Sequence, residues 1–336
     1  MVGGNNIRKP ASMQASSSEA SQAGHGGAAL GTELAEPNNS MMVSSTGQHS
    51  ISMEVGSFLS RFLQRKWSSI ESETGAQLVY PSSTNEYLLT IGGTSECVDR
   101  ALEKIRPLID EGVNSPGFHH THFISLPLAT HPRLVDKLIN FQNSVLGTNE
   151  PNPSELGIDE SIFIKLQTLH LTVLMLKLWN KERVDAAVKI FKGIEAEVMD
   201  ALGGQPVSIK LKGLNCLKGS FEKAHILYLP VEVVDGDERL LRACKIITDA
   251  FTKGGLVLKG DAKYKLKLHV TVMNTIQRPR RYPGDQAAPF DARGIINHYG
   301  SEEWGEYAIP EVHLSQRFKY DDNGYYHCCA SIPLNP

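Results

Sequence analysis

Apolar positions between residues 53 and 112 predict a compact unit of helices followed by strands. Phe58 and Phe62 recur at helical spacing, and Gly75 ends a second predicted helix. Strands are predicted at 76–81 and 87–91, and the third helix carries an apolar face that includes Val98. The order is helix, helix, strand, strand, helix, which leaves room for one short strand before the first helix.

The remainder of the chain, residues 118–336, alternates strands and helices after a short linker predicted at 113–117. The apolar pattern is typical of an α+β fold, with antiparallel sheets flanked by helices. A weak internal duplication suggests two similar lobes. Strands are predicted at 118–128, 166–178, 207–217, 224–234, 266–273, 312–318 and 326–332, and helices at 132–146, 181–202 and 236–251.

Residues 1–52 differ from both regions because they are rich in Ser, Gly, Ala and Asn and contain no aromatic residue. Such a segment buries too little apolar area to offset its ordering entropy. We therefore expect a disordered tail up to residue 52.

Composition excludes several classes of protein. The net charge of −3 over 336 residues predicts no general attraction to nucleic acid or membrane, so any contact with nucleic acid needs a local basic patch. The five cysteines form no C-x-x-C pair, which indicates neither a zinc site nor a disulfide framework. No apolar run approaches the roughly 20 residues of a membrane span, so no membrane partner is expected.

Two stretches of the chain carry candidate chemistry, because they repeat a histidine, one apolar residue and a threonine between apolar flanks. They contain His170 and Thr172, and His269 and Thr271. Side chains two apart on a strand share a face, so each strand presents an imidazole and a hydroxyl together. Imidazoles can serve as base and acid at a phosphate, and hydroxyls can bind its oxygens. Which histidine is the base stays open.

The bare pattern is common, and a single strand histidine usually has a structural role. His119 and His313 also precede a Thr or Ser by two positions, but His119 lies at the linker and His313 lacks an apolar residue after Ser315. The matched flanks and matched positions in two lobes favour His170 and His269. The alternative is that both are sheet histidines bonded to backbone or to their threonines.

The paired motifs resemble those of the two-histidine (2H, LigT-like) phosphoesterase superfamily. That resemblance implies a bilobal domain at 118–336, with His170 and His269 as catalytic residues and Thr172 and Thr271 as phosphate binders. It also implies a cyclic phosphodiesterase or an RNA 3′-end nuclease that needs no metal or cofactor.

Residues 53–112 resemble a KH domain, a small module that binds single-stranded nucleic acid. KH domains clamp the nucleotide backbone with a G-x-x-G loop between their first two helices. At the corresponding place this chain has residues 64–67, Gln-Arg-Lys-Trp, and neither glycine. Close approach of a sugar-phosphate backbone is therefore not expected there.

A degenerate KH unit before a two-histidine domain resembles a family of subunits of nuclear complexes for transcription coactivation and alkylation repair. The resemblance implies RNA and proteins of a coactivator and helicase complex as partners, and a nuclear location, with the cytoplasm as the other possibility. Its alternative function is an inactive subunit that binds RNA or nucleotide without cleaving it. Supporting segments are 121–125, 269–275, 290–293 and 312–318.

Cations near the second motif are candidate RNA contacts. Lys265 and Lys267 alternate with His269 on a predicted strand, and Arg278 and Arg280 follow it. A basic rim would attract a phosphate backbone, although lysines also commonly protect a solvated edge strand. The aromatic residues Tyr264, Phe318 and Tyr320 could stack bases, and packing in the core or on the surface is the favoured alternative.

Overall fold

The computed structural model of the protein describes residues 40–43, 49–79, 88–147, 152–233, 238–258, 266–279 and 287–334. Residues 1–39, most of the predicted tail, lie outside the described residues, as do the candidate RNA contacts Lys265 and Arg280. From Asn39 to Pro336 the chain forms one compact unit.

The N-terminal part contains a four-stranded antiparallel sheet, with strand order β1-β2-β4-β3, and three helices. The two strands and three helices appear in the predicted order, and two further strands precede them. The strands are β1 Ser40–Val43, β2 His49–Glu54, β3 Gln77–Val79 and β4 Leu88–Gly93, and the helices are α1 Gly56–Gln64, α2 Trp67–Thr74 and α3 Ser95–Asn114.

Two predicted boundaries of this part are wrong. The tail was placed up to residue 52, yet β1 and most of β2 lie before that point and pair in the sheet. Ile51 is 6% exposed, because β2 pairs with β4 and Ile51 packs into the apolar core of the N-terminal part. The linker was placed at 113–117, yet α3 continues to Asn114 and Val113 is buried.

The larger part contains a nine-stranded sheet in which neighbouring strands are antiparallel, and five helices, which confirms the predicted α+β class. The strand order is β11-β7-β9-β10-β6-β5-β12-β13, with β8 paired to β9. The strands are β5 His122–Pro127, β6 His170–Leu176, β7 Ser208–Lys212, β8 Asn215–Gly219, β9 Ala224–Val233, β10 His269–Asn274, β11 Glu303–Ala308, β12 Glu311–Tyr320 and β13 Tyr326–Pro333. The helices are α4 Pro132–Leu146, α5 Lys181–Gly193, α6 Glu195–Leu202, α7 Arg239–Lys253 and α8 Arg293–Tyr299.

Several elements differ from the apolar pattern for local reasons. The helix predicted at 181–202 is two helices, α5 and α6, which meet at Ile194. The strand predicted at 207–217 is two strands separated by a turn at Gly213, whose φ of +76° favours glycine. The apolar run from Leu166 begins as a 3₁₀ turn, so β6 starts at His170 itself. Neither β11 nor α8 was predicted.

The N-terminal sheet and the larger sheet are joined at the junction between β6 and α5. Trp179 packs against the N-terminal apolar core. The Lys181 backbone N–H donates to the Glu54 carboxylate at 3.0 Å, and Lys177 Nζ donates to the Val113 carbonyl at 2.7 Å. These contacts attach the N-terminal part to the strand that carries the first motif.

Within the part of the chain that the structure describes, no helix combines the length and the apolar character needed to cross a membrane.

The corrected boundary gives a stability prediction. We expect Ile51→Ala to lower the free energy of unfolding by about 2–5 kcal/mol, because it leaves a cavity in the N-terminal core. Val79→Ala, at a position 55% exposed on the same sheet, is the matched control and should change it by less than about 0.5 kcal/mol. Denaturant unfolding measures both. If the two variants changed the free energy of unfolding equally, Ile51 would not be part of the folded core.

Candidate active site

The two motif strands are neighbours in one sheet, where β6 and β10 pair antiparallel with Val270 opposite Leu171. Continued by one residue in each direction, this register places His170 opposite Thr271 and Thr172 opposite His269. Directly opposed side chains on one face have Cβ atoms about 5 Å apart. The two halves of the sheet therefore meet at the motifs, and each histidine faces the other motif's threonine.

Both imidazoles are held in the same tautomer by the backbone two residues earlier. His170 Nδ1 lies 2.7 Å from the Thr168 carbonyl, and His269 Nδ1 lies 2.7 Å from the Lys267 carbonyl. A carbonyl oxygen only accepts hydrogen bonds, so each Nδ1 carries a proton and donates. Each Nε2 is then left to exchange protons with a bound molecule.

An aromatic ring packs edge-on against each histidine. The Tyr326 ring is 5.6 Å from the His170 ring, and the Tyr228 ring is 5.4 Å from the His269 ring. Phe123 adds a second contact to His170 at 4.9 Å. These rings restrict the rotation of the imidazoles, so the orientation of both Nε2 atoms is set before any ligand binds.

The electrostatics of the site give His170 a defined protonation state. Burial, helped by the charge of His269 and opposed by the hydrogen bond to the Thr168 carbonyl, lowers the pKa of His170 to about 4. His170 is therefore neutral near pH 7.

A cleft of about 620 Å³ opens over the first motif and reaches the second through Thr271. Its lining combines the motif side chains with aromatic rings, two cations and uncharged polar groups. The motif residues are His170, Thr172 and Thr271, the rings are Phe123, Phe318, Tyr320 and Tyr326, the cations are Lys165 and Arg317, and the polar groups include Asn274 and Gln277.

The cations predicted to bind RNA are placed differently from the expectation. Lys267 Nζ donates to Tyr228 Oη at 2.7 Å, so this side chain supports the ring beside His269. Arg278 forms an ion pair with Asp159 at 3.0 Å and donates to the carbonyls of Gly157 and Ala288. Arg278 thus connects neighbouring loops and does not line the cleft.

Lys165 and Arg317 are the described cations that line the cleft, and sequence reasoning missed both. Arg317 belongs to β12, which reaches the cleft only because it pairs with β5, the neighbour of β6. That placement depends on strand pairing between distant segments, so no local pattern indicated it.

The two other histidines that match the pattern, His119 and His313, differ in their position relative to the cleft. His313 Nε2 lies 2.9 Å from the Glu311 carboxylate and is not part of the cleft lining, which agrees with setting it aside. His119 does line the cleft, at its entrance from the segment before β5. Across the described ranges no cluster of three or more His, Cys, Asp or Glu side chains could hold a metal ion.

Comparisons with known proteins agree with this geometry. Residues 120–334 match the family model of the AKAP7 2′5′ RNA ligase-like domain. The chain is similar to mouse activating signal cointegrator 1 complex subunit 1, with 27% identity over 282 residues, which are 79% of this chain and 77% of the mouse protein. It is also similar to human A-kinase anchor protein 7 isoform gamma, with 23% identity over 65% of this chain and 58% of that protein.

Among solved structures, the chain is similar to E. coli LigT complexed with NADP+. The match has 12% sequence identity and a TM-score of 0.36, and it covers 65% of this chain and 99% of LigT.

The imidazoles of His122, which is buried, and His170, which is half-buried, predict acid sensitivity. Burial lowers the pKa of His122 to about 4, as it does that of His170, and the charge of His327 lowers it further. An unfolded chain protonates these histidines from about pH 6.5 downward, whereas the folded protein resists until about pH 4. The stability they contribute is complete above pH 6.5 and is lost as the pH falls to 4, by on the order of 3 kcal/mol for each histidine.

Denaturant unfolding between pH 7 and pH 4 measures this loss. His170→Asn keeps an amide donor for the Thr168 carbonyl but cannot be protonated, so its stability should fall less steeply than that of the wild type. Parallel curves for the two proteins would show that His170 does not resist protonation in the folded state.

Proposed function

This chain belongs to the family of AKAP7 2′5′ RNA ligase-like domains, and on that premise we propose that it is a phosphodiesterase that acts on RNA ends with two histidines and no metal. The observation that carries the proposal is the register of β6 and β10. It sets an imidazole and a hydroxyl from each motif on one face of the sheet, where His170, Thr172 and Thr271 line the cleft.

We assign His170 as the general base. Its low pKa leaves it neutral at pH 7, and its Nδ1–H is bonded to a carbonyl, so Nε2 can accept a proton from an attacking water. The water oxygen then forms a bond to phosphorus, and the bond from phosphorus to one ribose oxygen breaks. His269 acts as the acid from its doubly protonated form, in which Nδ1–H stays on the Lys267 carbonyl and the proton on Nε2 passes to that leaving oxygen.

The two threonines complete the site as phosphate ligands. Thr172 and Thr271 both line the cleft, and each lies opposite the other motif's histidine in the register. Their hydroxyls can donate to non-bridging oxygens, where negative charge grows during attack. The phosphate would therefore sit between the two histidines.

The proposed substrate is an RNA terminus with a 2′,3′-cyclic phosphate or a cleavable 3′-terminal linkage. Support comes from the RNA ligase-like family and from the side chains around the motifs. Lys165 and Arg317 offer positive charge to a phosphate backbone, and the aromatic rings offer flat surfaces.

We also propose that the protein works as a nuclear subunit of a larger complex. The mouse relative is by name a subunit of the activating signal cointegrator 1 complex, and the similarity extends over 79% of this chain, more than the two-histidine domain alone. The N-terminal part, whose Lys66 is paired with Glu111 at the place of the missing G-x-x-G loop, would then contact proteins of that complex.

Substitution of either histidine tests the chemistry. His170→Asn and His269→Asn each keep a donor for the backbone carbonyl and remove Nε2, so each should slow turnover at least about 100-fold. The measurement is hydrolysis of a short RNA with a 2′,3′-cyclic phosphate, with EDTA present.

His313→Gln is the matched control, because it alters a histidine of the same local pattern outside the cleft and keeps a donor toward Glu311. It should retain turnover. Wild-type rates in both motif variants would overturn the proposal. RNA binding by the wild-type protein without any product would instead support a non-catalytic binding subunit.

The threonines give a separate prediction. Thr172→Val and Thr271→Val remove a hydroxyl at almost constant volume, so each should lower kcat by about 10- to 1000-fold through lost transition-state stabilisation. Thr→Ser at the same positions keeps the hydroxyl and should retain most of the rate. Steady-state kinetics on the cyclic-phosphate RNA distinguish the two, and a retained rate with Val but a lost rate with Ser would assign the threonines to packing.

A further inference from the structure

A bulge in β12 projects side chains into the cleft. β12 and β13 are in register at Gln316 and His327 and again at Tyr320 and Tyr326, so residues 317–319 have no partners on β13. On the other side, the Arg317 backbone N–H donates to the Thr121 carbonyl at 2.8 Å. Bulges next to active sites commonly redirect a side chain, and here the residue at the centre of the bulge is Phe318.

Phe318 is unfavourable for the folded protein in two independent ways. Its φ of +62° makes it the single non-glycine residue with positive φ among those the structure describes, and bulky residues rarely adopt that region. Its ring is 71% exposed, although burial would stabilise it. An apolar ring held outward in a strained conformation indicates a role in binding rather than in folding.

The surroundings of Phe318 fit a flat, anionic ligand. The Arg317 guanidinium lies 4.6 Å from the ring centroid of Phe318, and Lys165 Nζ lies 5.8 Å from that of Tyr320. Tyr320 is 48% exposed and stacks on Tyr326 at 5.4 Å, and Tyr326 contacts His170. We call Phe318, Tyr320 and Tyr326 the aromatic rim.

We propose that the aromatic rim, with Phe318 as its main stacking surface, binds a nucleobase of the nucleotide whose phosphate lies at the two motifs. This inference rests on the proposed function, since it names what part of an RNA substrate the site grips. Every base has a flat face, so stacking on Phe318 and Tyr320 would tolerate different bases. Lys165 and Arg317 would attract the attached phosphates. For Phe318 and Tyr320 we thus favour base stacking over packing.

The test compares two ligands that differ by the base alone, adenosine 5′-monophosphate and ribose 5-phosphate. Base stacking contributes about 5- to 100-fold in affinity, so wild-type protein should bind the nucleotide tighter by about that ratio. Phe318→Gly should bring the ratio close to 1 and leave the affinity for ribose 5-phosphate unchanged. Glycine tolerates the positive φ, so this variant should fold at least as stably as the wild type. Isothermal titration calorimetry gives each Kd.

Phe221→Ala is the matched control, because it alters an exposed phenylalanine outside the cleft lining and should keep the wild-type ratio. A wild-type ratio near 1, no measurable binding of the nucleotide, or an unchanged ratio in Phe318→Gly would each overturn the inference. The outcome is independent of turnover. A high ratio in a protein that hydrolyses no cyclic phosphate would refute the proposed enzyme and leave the base site standing.

Discussion

The pairing of β6 with β10 is the constraint on which the site depends. Leu171 and Val270 are opposite each other and fully buried, so the apolar core fixes the register from beneath the sheet. A slip of one residue would turn both motifs into the core and both apolar sets toward the cleft. Hydrophobic burial on one face therefore determines the geometry of the polar groups on the other.

Packing and backbone contacts also orient the two imidazoles. Each histidine uses Nδ1–H on the carbonyl two residues earlier, a contact that the strand entry supplies without any dedicated carboxylate. An aromatic edge on each ring completes the restraint. Burial keeps His170 neutral at physiological pH. Backbone carbonyls and packed rings, rather than a network of ionised groups, set the tautomer of both imidazoles.

Local patterns predicted the placement of the motif side chains better than their surroundings. The alternation of His170 with Thr172, and of His269 with Thr271, followed from the period of a strand, and the structure places both pairs as strand residues on one face of the sheet. The cations were harder to predict. Arg278 is close to the second motif in sequence, yet it clamps Gly157 and Ala288, because the loops that surround it are brought there by folding. Arg278 is therefore near the second motif in sequence but does not line the cleft.

The spacing of side chains within single elements was enough to predict the α+β class, the order of most helices and strands, and the shared strand face of each motif's histidine and threonine. Tertiary structure decided what surrounds them. Strand pairing between distant segments brought β12 beside the first motif and with it Arg317 and Phe318. Strand pairing also explains why β2 is folded although it was predicted as part of the tail: Ile51 is buried because β2 pairs with β4. Burial and exposure are properties of the assembled sheet, and no single strand specifies them.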